Sequence, residues 1–189
     1  MIIVSGPSGA GKGTLIGQVV PRFPALEVAV SATTRRMRPG ERSGIDYHFM
    51  RPEEFERRVR AGDFLEHVTY AGNRYGTLRC EIDRIIDDGR WPLVEIELEG
   101  ARAVRAAIPD AVSIFIAPPS FEELSRRLAR RATDSDGEIE QRLRTSLVEL
   151  GAIHEFDHVI VNGDVGEASR RLTEVIAATV GQAPEEPHV

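Results

Sequence analysis

Near its start the chain reads Ile2-Ile3-Val4-Ser5-Gly6-Pro7-Ser8-Gly9-Ala10-Gly11-Lys12-Gly13-Thr14. The four residues from Ile2 are mostly β-branched and apolar, which predicts a short buried strand. The next nine match the pattern G-x-x-x-x-G-K, in which glycines let successive backbone N–H groups point at one anion. A helix is predicted from about Lys12, and its positive N-terminal dipole adds to the anion site. The stretch therefore predicts a phosphate-binding loop between a strand and a helix.

Two residues of this loop refine its chemistry. Lys12 is the only lysine in the chain, and it offers a compact charge for the outer phosphates of a nucleotide, where arginine would offer a planar fork. Gly13 stands where the motif usually has a Ser or Thr hydroxyl for Mg²⁺. We therefore expect no direct metal ligand from the protein, and magnesium contact through waters and nucleotide phosphates. The alternative for the whole stretch is a glycine-rich turn that binds no ligand.

The composition limits the classes of protein that the chain can represent. Its 189 residues fit one compact domain, with room for an inserted lobe. The net charge of −6 argues against a general nucleic-acid binder. No apolar run approaches the ~20 residues of a membrane helix, and we expect no signal peptide, so a cytoplasmic protein without a membrane or nucleic-acid partner is predicted. Cys80 is the single cysteine and is expected to be a small buried side chain.

Apolar strands alternate with helical patterns along most of the chain. Strands are predicted at residues 2–5, 26–30, 93–97, 112–116 and 158–161, and the helices between them show apolar faces such as Ile82, Ile85 and Ile86, or Ile139, Leu143, Leu147 and Leu150. This alternation is typical of a parallel sheet covered by helices on both faces. Ligands of such sheets bind beyond the carboxyl ends of the strands. We therefore expect the phosphate-binding loop and the acids of strand 93–97 to converge there.

Residues 31–78 interrupt this alternation. Their predicted elements are a basic, turn-rich stretch, a short strand, a helix with a proline in its first turn and two further strands, at residues 31–44, 46–50, 52–60, 64–70 and 74–77 respectively. We interpret the segment as a small mixed lobe inserted into the main sheet.

Four segments of this lobe give the chain a family resemblance. They are Ser31-Ala32-Thr33-Thr34-Arg35, Gly44-Ile45-Asp46-Tyr47-His48-Phe49, Gly62-Asp63-Phe64-Leu65-Glu66 and Tyr75-Gly76-Thr77. In this order and spacing they resemble the GMP-binding lobe of the guanylate kinase family. The resemblance extends over nearly the whole chain, through Ile116-Ala117-Pro118-Pro119-Ser120 and the arginine-rich residues 126–142.

The resemblance implies a fold and a reaction. The implied fold is α/β, a P-loop NTPase-type parallel sheet sandwiched by helices, with an inserted mixed α/β GMP-binding lobe and a helical lid. The implied division is a core of residues 1–30 and 79–181, a lid at about 126–142, the GMP-binding lobe at 31–78 and a disordered tail at 182–189. The implied reaction is the reversible, ATP-dependent phosphorylation of GMP or dGMP to GDP or dGDP with Mg²⁺, by a monomer or a homodimer.

The resemblance also implies roles for the matching residues. Catalysis would involve Lys12, Arg35, Arg127, Arg131 and Arg142. ATP would contact Gly6, Pro7, Ser8, Gly9, Ala10, Gly11, Lys12, Gly13 and Thr14, together with Asn162 near the adenine. GMP would contact Ser31, Arg35, Arg38, Tyr47, Glu66, Tyr75, Thr77, Glu95 and Glu97. Within that set the phosphate would be held by Arg35, Arg38, Tyr47 and Tyr75, and the guanine by Ser31, Glu66 and Thr77.

Chemistry supports these assignments independently of the family. Phosphoryl transfer needs two anionic substrates held in line and their charge neutralised, which suits several arginines. Guanine presents two adjacent donors, N1–H and the 2-amino group, and the single carboxylate of Glu66 can accept both. Adenine would leave that carboxylate unpaired, at a cost of ~1–3 kcal/mol or more.

Each assignment has an alternative. The arginines of 126–131 could form a solvated helix face, Glu66 and Asp63 could be surface acids, and Tyr47 and Tyr75 could be lobe core. The whole protein could be a non-catalytic guanylate-kinase-like binding module, which the intact loop lysine and lid arginines argue against. It could also be a related kinase of a sugar phosphate, which the guanine-reading set argues against.

The chain departs from the family pattern after the strand predicted at 93–97. The family often has Asp, an aromatic residue and Gln where this chain has Glu97, Leu98 and Glu99. The longer side chain of Glu97 and the charge of Glu99 alter the balance of acids near magnesium and the acceptor. These departures affect kinetic detail more than the type of reaction.

Overall fold

The computed structural model describes residues 1–70, 72–129 and 136–185. The strands are β1 Ile2–Ser5, β2 Leu26–Val28, β3 Ala32–Thr33, β4 His48–Phe49, β5 Phe64–Tyr70, β6 Asn73–Leu78, β7 Trp91–Glu95, β8 Val112–Ala117 and β9 His158–Val161. The α-helices are α1 Lys12–Val19, α2 Pro52–Ala61, α3 Arg79–Asp87, α4 Leu98–Ala107, α5 Phe121–Ala129, α6 Asp136–Gly151 and α7 Val165–Val180. No helix within the described ranges has the length and apolarity needed to cross a membrane.

Five strands form a parallel sheet in the order β2-β7-β1-β8-β9. β1 lies at its centre, with Ile3 in register with Val94 of β7 and Ser113 of β8. Because side chains alternate between the two faces of a strand, Ile2 and Val4 pack with α1 and α7, whereas Ile3 packs with α3 and α4. The predicted parallel sheet with helices on both faces is confirmed.

Four strands of the insert form a second sheet in the order β4-β3-β6-β5. β5 and β6 pair antiparallel, and β3 pairs antiparallel with β6 and parallel with β4. Phe55 of α2 stacks on Phe64 of β5, with ring centroids 4.4 Å apart, and both pack with Ala32 and Leu78. The insert therefore has its own sheet and its own small core. The division of the chain into separate core, lobe, lid and tail units stays a prediction.

Two predicted strands of the parallel sheet end earlier than the sequence pattern indicated. β2 covers only Leu26–Val28, and β7 ends at Glu95. Glu97 is instead the N-cap of α4, where its carboxylate accepts from the backbone N–H of Glu99 at 3.1 Å and of Gly100 at 2.8 Å. The start of a helix leaves backbone N–H groups without partners, and an acid at the cap satisfies them. Glu97 therefore begins a helix rather than ending a strand.

Three side-chain predictions are wrong. Ile86 of α3 was expected on the apolar face of its helix but is 55% exposed. Cys80 is exposed rather than buried, because Ile82 of the same helix faces the sheet and Cys80 lies on the opposite side of α3. Leu147 was expected on the inner face of α6 but is 56% exposed. The buried positions of that part of α6 are taken by Ser146 and Glu149, so the polar stripe of this helix faces inward.

Gly6 ends β1 in a conformation and a space that admit only glycine. Its φ is +139°, and a Cβ at this position would lie 2.2 Å from the carbonyl oxygen of Ile116 in β8. We expect Gly6→Ala to lower the free energy of unfolding by about 3 kcal/mol, because the paired strands cannot separate without losing their hydrogen bonds. Urea unfolding measures the change.

Gly17→Ala is the matched control for this substitution. Gly17 lies on α1 with nothing within 4 Å of its would-be Cβ, so alanine there is expected to be neutral or stabilising by up to about 1 kcal/mol. A Gly6→Ala protein as stable as the wild type would contradict the close approach of β1 and β8.

Candidate active site

A cavity of about 340 Å³ lies between the carboxyl ends of the parallel strands and the sheet of the insert. Its walls come from the loop after β1, the segment after β2, the end of β7, and strands β5 and β6. Nine of the predicted site residues line it, namely Gly6, Ser8, Lys12, Ser31, Tyr47, Glu66, Tyr75, Glu95 and Glu97. The other predicted site residues in the described part of the chain lie outside this lining.

Glu66 is a buried acid in the wall of this cavity, with only 5% of its surface exposed. It lies on β5, where alternation places Glu66, Val68 and Tyr70 on the cavity face. The Thr77 hydroxyl on the paired strand β6 donates to Glu66 Oε1 at 2.8 Å. Burial raises the pKa of the Glu66 carboxyl to about 7, against the lowering effect of the Thr77 hydrogen bond. The alternative that Glu66 is a surface acid is wrong.

The phosphate-binding loop curves around its own lysine. Lys12 Nζ donates to the carbonyl oxygens of Gly6 at 2.6 Å and Pro7 at 3.3 Å, which holds the ammonium group inside the curve. Asn162 is 2% exposed, and its side-chain amide donates to the Ala10 carbonyl oxygen at 2.7 Å. This contact gives Asn162 a bracing role for the loop, and its predicted contact with adenine stays a prediction.

The predicted lid arginines have different surroundings. Arg127 donates to the Glu123 carboxylate at 3.0 Å and to the Asn162 carbonyl oxygen at 3.1 Å, so it packs beside the residue that braces the phosphate-binding loop. A purely solvated helix face therefore does not describe Arg127. Arg142 is half-buried on α6. Arg131 lies outside the described residues.

Arg35 and Arg38 lie in the segment between β3 and β4. The Arg35 guanidinium carbon is 5.3 Å from the ring centroid of Tyr47 and 5.6 Å from that of Phe49. Tyr47 and Tyr75 meet edge-on with centroids 6.1 Å apart, and both rings line the cavity. Arg38 is exposed. The tyrosines thus connect Arg35 to the cavity, although neither arginine lines it.

Glu95 at the end of β7 and Glu97 at the start of α4 differ in their surroundings. Glu95 Oε2 is 3.7 Å from the position that a Cβ would take at Gly13, so a carboxylate stands beside the place where the motif usually has a metal-binding hydroxyl. The carboxylate of Glu97 caps α4. Among the described residues, no group of three acids, histidines or cysteines could hold a metal ion. One carboxylate beside a phosphate site fits magnesium held mainly by nucleotide phosphates and waters.

The sequence of this chain is similar to that of a known protein family. A family model described as guanylate kinase matches residues 1–179. The chain belongs to the guanylate kinase family. The guanylate kinase of Frankia casuarinae is 51% identical over 172 residues, which cover 91% of this chain and 94% of that protein. The guanylate kinase of Leifsonia xyli is 45% identical over 188 residues, which cover 99% of this chain and 73% of that protein.

A solved structure agrees with this assignment. The crystal structure of guanylate kinase from Anaplasma phagocytophilum matches with a TM-score of 0.76 at 33% identity, over 94% of this chain and 84% of that one. The family resemblance that the lobe segments indicated is therefore confirmed.

The predicted site residues did not include several polar residues that line the cavity in this guanylate kinase family member. Tyr70 and Glu149 both line it, and Glu149 is only 4% exposed. Tyr70 could have been found from its alternation with Glu66 along β5. Glu149 could have been found from the spacing of Arg142, Ser146 and Glu149, which places three polar side chains on one face of a helix. The more familiar apolar pattern of α6 hid that polar face.

The buried acids give the protein a pH-dependent stability. Burial raises the pKa values of Glu66 and Glu149 from an ordinary 4.5 to about 7, although Lys12 lowers that of Glu149. Between about pH 4.5 and 7 the native state therefore binds more protons than the unfolded state, and the free energy of unfolding falls as the pH rises. We expect Glu149→Gln to remove about 1–3 kcal/mol of that fall, measured by urea unfolding at about pH 5 and pH 8.

Glu140→Gln is the matched control for this measurement. Glu140 lies on the same helix with a side chain that is 66% exposed and that pairs with Arg144, so its removal is expected to leave the pH dependence unchanged. Equal pH dependence in the wild type and in Glu149→Gln would show that Glu149 is not a source of the effect.

Proposed function

We propose that this member of the guanylate kinase family transfers the terminal phosphoryl group of ATP to GMP or dGMP, reversibly, and forms ADP and GDP or dGDP. The observation that carries the proposal is the buried carboxylate of Glu66, which lines the same cavity as Lys12 of the phosphate-binding loop. A base-reading acid in the same cavity as a phosphate-binding lysine suits a nucleotide acceptor held beside a phosphate donor.

Glu66 selects the base in this proposal. Guanine N1–H and the 2-amino group both donate to its carboxylate, while the Thr77 hydroxyl holds Oε1 in place. Ser31 lines the same cavity and offers a further hydroxyl to the base. Adenine presents an unprotonated N1 at this position, so the buried carboxylate would lose its partners at a cost of ~1–3 kcal/mol or more.

Positive and phenolic groups hold the two phosphate chains. The proposed groups at the GMP phosphate are Arg35, Arg38, Tyr47 and Tyr75, and those at ATP are Lys12, Arg127, Arg131 and Arg142. Phosphoryl transfer is accelerated mainly by positioning and by neutralising charge on the transferred group. Closure of the lobe and the lid over both nucleotides would exclude water, which would otherwise compete as the acceptor.

Magnesium is proposed to bind together with ATP. Glu95, beside Gly13, would contact it through water, and the ion would neutralise charge on the outer phosphates. Glu97, whose carboxylate caps α4, is proposed to add to the acidic side of the GMP site. The cytoplasmic location and the monomeric or homodimeric state stay predictions.

A coupled assay for ADP tests the proposal. With ATP and Mg²⁺, GMP and dGMP are expected to be phosphorylated, and AMP and UMP to show kcat/KM values lower by about 10²-fold or more. Binding of GMP without turnover of any acceptor would favour a non-catalytic binding module. Preferred turnover of a ribose bisphosphate would favour a kinase of a sugar phosphate.

A further inference from the structure

Glu41 is an acid outside the cavity lining whose contacts converge on two arginines. Its side chain is 19% exposed. Oε1 accepts from Arg35 Nη2 at 2.8 Å, and Oε2 accepts from Arg35 Nη1 at 3.1 Å. Oε2 also accepts from the backbone N–H of Arg38 at 2.7 Å, and the Glu41 N–H donates back to the Arg38 carbonyl oxygen at 3.1 Å. One carboxylate therefore fixes both the guanidinium of Arg35 and the turn that carries Arg38.

This pairing leaves a defined edge of Arg35 available. A guanidinium carries five N–H donors in one fixed plane. Glu41 accepts one from each terminal nitrogen, and the Arg36 carbonyl oxygen accepts the other from Nη1 at 2.7 Å. In the described chain nothing accepts from Nε or from the second N–H of Nη2. These two donors lie side by side on one edge, which is the arrangement that binds two oxygens of a phosphate.

Aromatic rings fix the same guanidinium from the side. Its carbon lies 5.3 Å from the ring centroid of Tyr47 and 5.6 Å from that of Phe49, distances at which a cation is attracted to a ring. Tyr47 also lines the cavity. The hydrogen bonds between Arg35 and Glu41 raise the pKa of the arginine and lower the pKa of the acid, so both groups stay charged at neutral pH.

We propose that Glu41 is a positioning residue for the acceptor phosphate. It orients Arg35 so that the Nε–Nη2 edge stays available to the phosphate, and it sets the turn that presents Arg38. The inference rests on the proposed function, because it takes the acceptor to be a nucleoside monophosphate whose phosphate binds beside Tyr47. Glu41 does not touch the substrate, since both of its carboxylate oxygens are occupied and its charge repels a phosphate.

Binding of GMP and of guanosine to Glu41→Ala tests this role. Calorimetric titration is expected to show GMP binding weakened about 10–100-fold, the range that loss of charged hydrogen bonds produces. Guanosine binding should change by less than about twofold, because guanosine has no phosphate for Arg35 to bind. In the steady state the KM for GMP should rise by a similar factor with a smaller change in kcat. Glu41→Gln keeps one acceptor oxygen and should lie between the two proteins.

A double-mutant cycle with Arg35→Ala separates positioning from general damage to the lobe. If Glu41 acts through Arg35, Glu41→Ala should weaken GMP binding little further in the Arg35→Ala background. Glu54→Gln is the matched control, since Glu54 is an acid of the same lobe that pairs with Arg58 at 3.4 Å; it should leave both ligands unaffected.

Two results would overturn the inference while leaving the proposed function intact. One is an equal loss of GMP and guanosine binding in Glu41→Ala, and the other is full additivity of the two substitutions in the cycle. A wild-type protein that binds no GMP would instead overturn the proposed function and this inference with it.

Discussion

Lys12→Ala is expected to lower kcat for phosphoryl transfer from ATP to GMP by roughly 10³-fold, the scale on which single charge-stabilising groups act in such sites. The ammonium group lies inside the curve of the phosphate-binding loop, 2.6 Å from the Gly6 carbonyl oxygen, where the loop would bring the outer phosphates of ATP. Alanine removes the charge that stabilises the transferred phosphoryl group but leaves the base-reading wall around Glu66 in place. GMP affinity and the circular dichroism spectrum should therefore stay close to those of the wild type.

Two further variants show whether the loss is specific to this ammonium group. Lys12→Arg keeps the positive charge, but its planar fork cannot replace a compact group inside the loop, so its kcat should stay well below that of the wild type. Arg144→Ala removes a positive charge from α6, where the side chain is 77% exposed and pairs with Glu140, and should leave kcat unchanged. Near-wild-type turnover by a folded Lys12→Ala protein would refute the role assigned to the loop.

The parallel sheet and the phosphate-binding loop were predictable because their signals are local. The β-branched run of β1, the glycine spacing and the helical pattern from Lys12 occupy one continuous stretch, and the same physics of strand burial and glycine conformation acts there in any context. The alternation of strands and helices then specified the sheet type, which the order β2-β7-β1-β8-β9 bears out. The inserted lobe was predictable from the interruption of that alternation at residues 31–78, whereas its assignment to GMP binding came from the family resemblance.

Residues whose role depends on a distant partner were harder to predict. Glu97 continues the apolar–polar alternation that begins at Val94, and only the unsatisfied N–H groups of α4 decide that it caps a helix. Glu149 is buried because α6 turns its polar face to the cavity. The spacing of its polar residues marks that face, but only the packing of α6 decides that the face points inward. Glu41 pairs with Arg35 across a turn, and turns have no periodicity from which such a pair could be read.

Glu66→Gln is expected to lower the preference for GMP over AMP, measured as the ratio of kcat/KM values, by about 10²-fold. The Thr77 hydroxyl donates to Oε1 at 2.8 Å, so the carbonyl oxygen of glutamine should take that position. The amide NH₂ group then stands at the position of Oε2, where it faces a guanine donor and cannot accept from it. A Cβ at Gly100 would lie 2.9 Å from Oε2, so α4 packs on this oxygen and leaves the side chain little room to turn away.

A substrate analogue and a control variant separate the loss of guanine recognition from general damage to the protein. Inosine monophosphate keeps N1–H but lacks the 2-amino group, so the variant should also lose the preference for GMP over this analogue. Asp63→Asn is the matched control. Asp63 immediately precedes β5 in the same lobe, and it lies outside the cavity lining. A ratio for GMP over AMP that is unchanged in Glu66→Gln would mean that guanine is read by other groups.

The wild type should also recognise guanine less well when the pH is lowered. The Glu66 carboxyl has a pKa of about 7, and its protonated form presents an O–H where guanine needs an acceptor, so the KM for GMP should fall as the pH rises through about 7. The phosphate of GMP also titrates, at about pH 6, and it contributes equally in both proteins. Glu149 lines the same cavity and also has a pKa of about 7, and it is present in both proteins. The difference between the pH profiles of the wild type and of Glu66→Gln therefore isolates the Glu66 carboxyl, and the step near pH 7 should be smaller in the variant.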